Sequence, residues 1–294
     1  MRNKEPRNAF HEDKNKIVGG TLYLVATPIG NLSDITERAL KTLREVDFIA
    51  AEDTRNTGKL LSYFGISKPM VSYFEHNKRE RGEVILERLL GGESCALVTD
   101  AGTPAISDPG EDLVVLCAER GVTVTSVPGC SAVVNALALS ALPTGRFSFE
   151  GFLSTNKNER SERLNEIKND TRTTIFYEAP HKLLKTLEDI LSVFGDRKIS
   201  LCRELTKLNE EIIRTTISEA IKYYTENAPR GEYVLVIEGA SKAIALENAF
   251  WRDMSIEEHV EYYISQEMKK MDAIKAVAKD RGVSKSEIYK VVNN

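Results

Sequence analysis

Cysteine, histidine and tryptophan are scarce in this chain, at 4, 4 and 1 of 294 residues. Cys95, Cys117, Cys130 and Cys202 are scattered, form no C-x-x-C pair and have no clustered histidines beside them. That pattern gives no support to a disulfide framework or a zinc site and suits a reducing cytoplasm, so no metal is expected. Long apolar runs are absent too, because Gly, Ser or charge interrupts each one well short of a membrane span. The opening MRNKEPRNAFHEDKNK lacks the apolar core of a signal peptide. A cytoplasmic protein with a flexible arm over residues 1–19 is therefore expected. The net charge of −4 argues against a dedicated nucleic-acid coat, while leaving local basic patches free to attract RNA. The common nucleotide-phosphate cradles, G-x-x-x-x-G-K-S/T and G-x-G-x-x-G, do not occur.

What is present reads as alternating strands and helices. Hydrophobic content of 41% with 29% charged residues is that of a globular protein long enough for two cores. TLYLVA, DFIAAED, MVSYF, SCALVTD and VTVTSVPG are strand-like, and helical segments separate them. In the first of these, Asp34 and Glu37 have the spacing of a capping box, with Ile35, Ala39, Leu40, Leu43 and Val46 on one face. Gly65 stops the segment TRNTGKLLSYFG. This alternation predicts a mostly parallel sheet covered on both faces, over residues 20–143.

Past LPTGRF the strands FSFEGFL, TTIFYEAP, KISLCREL, EIIRTT and EYVLVIEG have fewer helices between them, and the close pair KISLCREL and EIIRTT predicts antiparallel pairing. A second α/β domain with a mixed sheet is expected over 144–242. From about Ala245 the chain turns helical, giving a small subdomain over 243–294. Its last part reads as helix, turn and helix, with Gly282 as the stop and Ser284 with Glu287 as a capping box. Lys269, Lys270, Lys275, Lys279, Arg281, Lys285 and Lys290 make it the most basic region, either as a solvated packing unit or as an RNA contact.

Three strand ends run straight into turn residues: ATPIGN at 26–31, TDAGTPAISDPG at 99–110 and VPGCSA at 127–132. In an open parallel sheet, ligands bind outside the carboxyl ends of the strands. Glycine lets a backbone approach a ligand closely, proline sets the loop shape, and Ser131 with Ala132 opens a helix whose first N–H groups are free. Three such loops on one sheet edge point to a ligand site.

These segments, with FYEAPHKL, CRELTK and GEYVLVIEG in the same order and spacing, closely resemble the bacterial 16S ribosomal RNA cytidine 2′-O-methyltransferases of the tetrapyrrole methylase superfamily. The resemblance runs over nearly the whole chain from Gly20. It implies a two-domain α/β enzyme, usually a homodimer, that binds S-adenosylmethionine between its domains. Carried over by motif, the cofactor would meet Pro28, Asp100, Ala101, Gly102, Thr103, Ile106, Ser131 and Ala132, with Tyr177 and Leu205 from the second domain. The implied acceptor is a cytidine ribose in the decoding centre of the small ribosomal subunit, with no membrane or DNA partner. The superfamily's G-x-G-x-G loop is replaced here by ATPIGN, whose only glycine is Gly30, which points away from a porphyrinoid substrate. A tetrapyrrole-like small-molecule methylase and a non-catalytic ribosome-binding protein are the alternatives.

A ribose hydroxyl is a poor nucleophile at neutral pH, so a base within hydrogen-bond reach would assist the transfer. The candidates at strand ends are Glu52, Asp53, Asp100, Glu178, His181 and Glu204. Asp53 is the first choice for a base and Glu178 the second. Asp53 could instead cap the helix that starts at Thr54, and Asp100 could instead pin its own loop. Arg55, Arg203 and Lys207 are the candidates for holding RNA phosphates.

Overall fold

A computed structural model describes residues 15–241, 243 and 250–293. Most of the expected N-terminal arm, and the expected start of helix near Ala245, lie outside the described residues. Within the arm, Ile17 packs against the core and the Val18 N–H donates to the Tyr23 hydroxyl at 2.8 Å, so packing begins upstream of residue 20.

The first sheet contains β1 (Thr21–Val25), β2 (Phe48–Ala51), β3 (Met70–Ser72), β4 (Cys95–Val98) and β5 (Thr123–Val127). All pairings are parallel, in the order β3-β2-β4-β1-β5. The apolar runs FIAA and CALV of β2 and β4 are buried at every position, as strands covered on both faces must be. Along β1 the side chains alternate. Leu22 and Leu24 face the cluster that includes Ile85, Leu86 and Leu89 of α3 (Lys78–Leu90) and Leu113 of α4 (Gly110–Glu119). Tyr23 and Val25 face Ala39 and Leu43 of α1 (Glu37–Glu45) and Leu61 of α2 (Thr54–Tyr63).

The expected capping box of Asp34 with Glu37 does not form. Thr36 caps α1, its hydroxyl accepting from the Ala39 N–H at 3.1 Å. Asp34 instead closes a short 3-10 turn whose N-terminus Asn31 caps. Two cap-competent residues precede Ala39, and the tertiary path of the β1–α1 loop selects the one with extended backbone beside the helix.

Helix α5 (Ala132–Leu139) joins the two halves. Its Val133, Ala136 and Leu137 pack on Ile175, Cys202, Val234 and Val236 of the second sheet. That sheet runs β6-β7-β10-β8-β9, from β6 (Phe147–Phe152), β7 (Thr173–Glu178), β8 (Lys198–Arg203), β9 (Glu211–Thr216) and β10 (Tyr233–Ile237). Strands β6 and β7 are parallel across α6 (Lys157–Ile167), and the other three pairings are antiparallel, including β8 with β9. The opposite face carries α6, α7 (Leu183–Phe194) and α8 (Ile217–Glu226) on Phe176, Leu201 and Leu235.

Among the described residues from 250 on, the C-terminal region forms α9 (Ile256–Ser265), α10 (Lys270–Arg281) and α11 (Lys285–Val292). Val260, Ile274, Val277 and Ile288 form their common core. Gly282 ends α10 with φ at 64°, and the Ser284–Glu287 capping box starts α11. Arg281 is not part of a basic face. Its guanidinium donates to the carbonyls of Met254 at 2.6 Å and Ser255 at 2.9 Å, and its Nε donates to His259 Nδ1 at 3.2 Å. Lys275 is paired with Asp272 at 2.8 Å. Among the described residues no helix is long and apolar enough to cross a membrane.

Candidate active site

The chain leaves β1 toward one edge of the first sheet and leaves β4 toward the other, with α1 and α4 on opposite faces. The adjacent carboxyl ends of β1 and β4 are thus the topological switch point, where an α/β sheet opens a crevice. The three Gly/Pro loops converge there and are tied to one another. Thr27 and Gly102 exchange backbone hydrogen bonds of 2.9 and 3.0 Å. The Thr103 hydroxyl donates to the Cys130 carbonyl at 2.9 Å, and Cys130 Sγ donates to the Asp34 carbonyl at 3.4 Å.

Gly102 is glycine because its φ of +85° lies where side-chain-bearing residues are strained. Downstream, Ala105 and Ser107 also hold positive φ, 66° and 61°. The Asp108 carboxylate sustains this turn by accepting from the Ala105 N–H at 2.9 Å and the Gly110 N–H at 2.8 Å. Pinning of this loop, considered for Asp100, therefore falls to Asp108. Asp100 Oδ2 accepts from the Asn56 side chain at 3.2 Å instead. The spacing of Asp108 two residues before Gly110 is an Asx-turn signal, legible in SDPG.

A cleft of about 410 Å³ opens between these loops and the second sheet. Asp100, Ala101, Gly102, Thr103 and Ile106 line it from the long loop, and Ser131 and Ala132 from the start of α5. Ser131 is the N-cap of α5. Tyr177, Glu178, Glu204, Leu205 and Lys207 line it from the second sheet, and Glu52 from the end of β2. Phe152, Asp108 and Glu232 also line it and were not singled out from the sequence. Phe152 and Tyr177 pack with ring centroids 5.4 Å apart, an aromatic wall that a strand-like FEGF does not announce.

Several candidate side chains are already engaged. Asp53 caps α2, accepting from the Arg55 N–H at 2.8 Å, and pairs with the Arg55 guanidinium at 2.8 Å. Those hydrogen bonds hold its carboxyl down at about 2. Neither Asp53 nor Arg55 lines the cleft. The buried Glu178 carboxylate accepts from the Ala179 N–H at 2.8 Å and the Thr186 hydroxyl at 2.5 Å, which fastens the turn into α7. His181 sits exposed in that turn, off the cleft. Arg203 faces Glu211 at 3.3 Å and is likewise off the cleft.

Lys207 sits between Glu204 at 2.9 Å and Glu232 at 2.8 Å. Burial alone would lower its pKa, but the two carboxylates outweigh that and keep the ammonium charged. Glu52 Oε2 accepts from the Thr99 hydroxyl at 2.6 Å. Burial first, then the charges of Glu52 and Asp53, raises the pKa of Asp100. Burial also pushes the Tyr177 phenol up, keeping it neutral.

Pro28 lines a second cleft of about 420 Å³ between the β1 loop and α2. Thr99 and Asp100 lie on both clefts and form their shared wall.

The architecture is that of solved methyltransferases. A cobalt precorrin-4 methyltransferase of cobalamin biosynthesis aligns with a TM-score of 0.54 at 19% identity, covering 74% of this chain and 94% of that one. A uroporphyrin-III C-methyltransferase from Thermus thermophilus aligns at 0.51 and 17%, covering 74% and 94%. At that identity the likeness is one of fold. Residues 21–221 match the family described as Tetrapyrrole (Corrin/Porphyrin) Methylases. Curated relatives named ribosomal RNA small subunit methyltransferase I are far more similar in sequence. The one from Halalkalibacterium halodurans is 50% identical, covering 92% of this chain and 94% of its own. Those from Bacillus subtilis and Synechocystis are 48% and 44% identical, each over 92% of this chain and over 93% and 97% of their own. The chain is a methyltransferase that belongs to the tetrapyrrole methylase family, in the branch of these ribosomal RNA enzymes.

Proposed function

We propose that the protein transfers the methyl group of S-adenosylmethionine to the 2′-oxygen of a decoding-centre cytidine in 16S ribosomal RNA. The observation that carries this reading is the 50% identity to a curated relative over 92% of the chain. The cleft suits the donor. Its volume of about 410 Å³ lies within the usual range for small-ligand sites. Phe152, Tyr177, Leu205 and Ile106 offer apolar surface for an adenine, and the main chain of Ala101 to Thr103 can approach closely because residue 102 has no Cβ. When bound, S-adenosylmethionine supplies an electrophilic methyl on a sulfonium, and the task of the chain is to orient the two partners and exclude water. Glu52 and Asp100 supply negative potential toward a cationic donor.

Asp100 is our candidate for the proton acceptor, in place of Asp53 and Glu178. Its carboxylate lies on the wall shared by both clefts, whereas those of Asp53 and Glu178 are spent on a helix cap and a turn. The test is methyl transfer from tritium-labelled S-adenosylmethionine to small subunits from a strain lacking the activity, followed by mass spectrometry of the nucleosides. Appearance of 2′-O-methylcytidine is the expected result. Binding to subunits without transfer, or methylation of a tetrapyrrole only, would overturn the proposal.

A further inference from the structure

The proposed function assigns the methyl donor to the first cleft and gives the second no role. One face of α2 forms a wall of that second cleft: Asn56, Lys59, Leu60 and Tyr63, spaced as positions i, i+3, i+4 and i+7 of a helix. Thr57, which also lines the cleft, and Leu61 are the buried residues of this helix and fix it to the core.

Three side chains on this wall are chemically open. Tyr63 lines a concavity and is still 68% exposed, with Phe64 bracing its ring edge to face at 4.9 Å. Lys59 forms no ion pair among the described residues, whereas nearby Arg55 is neutralised by Asp53, and Lys78 by Glu75 and Asp112. The Asn56 amide nitrogen donates to Asp100, which orients the amide and leaves its carbonyl oxygen on the other side. An exposed aromatic ring, an unpaired ammonium and an oriented amide on one helix face are what an unstacked nucleotide requires. The ring stacks a base, the cation takes a phosphate, and the amide meets a base edge.

We propose that the second cleft holds one unstacked ribonucleotide of the acceptor strand, its base on Tyr63 and its phosphate on Lys59. The ribose then lies toward Thr99 and Asp100, the wall common to both clefts, which brings its 2′-oxygen to the donor side. The inference deepens the proposed function and rests on it.

Two measurements keep the subsite and that function separable. The full-length protein is titrated with a fluorescein-labelled single-stranded RNA containing cytidine, followed by anisotropy over a range of salt. Tyr63→Ala is expected to weaken binding about 10-fold, with Tyr63→Phe near the parent. Lys59→Ala is expected to weaken it and to flatten the salt slope by about 0.7. Both residues are exposed, so melting temperature and S-adenosylmethionine affinity are expected to match the parent. In transfer assays on small subunits, the same two alanine variants raise KM for the subunit while the donor affinity holds. Parental RNA affinity in either alanine variant overturns the subsite. Absence of transfer by the parent protein overturns the function instead, and leaves the RNA titration to decide the subsite alone.

Discussion

The two walls of the first cleft are built by opposite means. On the parallel-sheet side the surface is loop, the Ala101 to Thr103 main chain with the side chains of Glu52, Asp100 and Ile106, held by the Thr27–Gly102 bridge and by Asp108 beneath the turn. On the mixed-sheet side it is side chain, with Glu204, Lys207 and Glu232 in one charge network and Glu178 locked to Thr186. The cause is topological. A switch point between parallel strands exposes the ends of two loops whose backbone has no sheet partner. The antiparallel β7, β10 and β8 exchange backbone hydrogen bonds along their length and leave only side chains to present.

If that contrast is right, the largest effect belongs to Gly102→Val. A β-branched residue at φ +85° breaks the bridge to Thr27, and calorimetry should show S-adenosylmethionine affinity lower by about 100-fold, or ~2.7 kcal/mol. Unchanged affinity would remove the main-chain wall from the donor site. Asp108→Ala comes next. It strips the Ala105 and Gly110 N–H groups of their acceptor and should cost about 1–3 kcal/mol in urea unfolding, with donor binding weakened alongside. Lys207→Ala should cost about 1 kcal/mol or less, because its charge network is partly solvated. Its sharper signature is the Glu204 carboxyl. Burial pushes that group up, but the Glu232 N–H and Lys207 hold it below its ordinary value, so it should titrate higher in the variant. A loss of donor affinity equal to that of Gly102→Val would erase the contrast between the walls.

The smallest effects are in pH dependence, and their signs differ around the shared wall. Asp53 titrates at about 2 in the folded chain, below its unfolded value. Its contribution to stability is present above the ordinary carboxylate pKa and lost as pH falls through about 2. Asp100 and Asp108 are raised, chiefly by burial. Their contributions are present below the ordinary carboxylate pKa and are lost as pH rises through the folded values. Carbon-detected carboxyl titration should place Asp53 lowest of the three. Asp53 titrating with Asp100 would show that the Arg55 contact does not persist in solution.

Features written in local chemistry were legible from the residues. Strands β2 and β4 are apolar runs because both faces are covered, and the loops after β1, β4 and β5 announce themselves by Gly and Pro. Gly282 and Ser284 mark helix ends through a positive φ and a capping box, each satisfied within a few residues. The resemblance carried the eight cofactor candidates of the first domain, seven of which share one cleft.

Partnerships that depend on the path of the folded chain were not legible. The spacing of Asp34 with Glu37 points to a cap that the β1–α1 path gives to Thr36 instead. The sequence left Asp53 open between a base and a helix cap, and it did not show that the Arg55 guanidinium pairs with Asp53 or that Thr186 donates to Glu178. Pro28 belongs to the second cleft, and Lys207 meets Glu232 from 25 residues away.

By itself, then, the sequence determined the alternation of strands and helices, the three strand-end loops and the family. Those depend on the period of apolar residues and on turn chemistry, both local. Only the tertiary structure decided which carboxylates are engaged and which face open space. It also decided that Thr99 and Asp100 separate two clefts rather than line one. Charge pairing and concavity depend on the distance between segments far apart in the chain, which the packing of α5 on the second sheet and against Ile29 of the β1 loop helps to set.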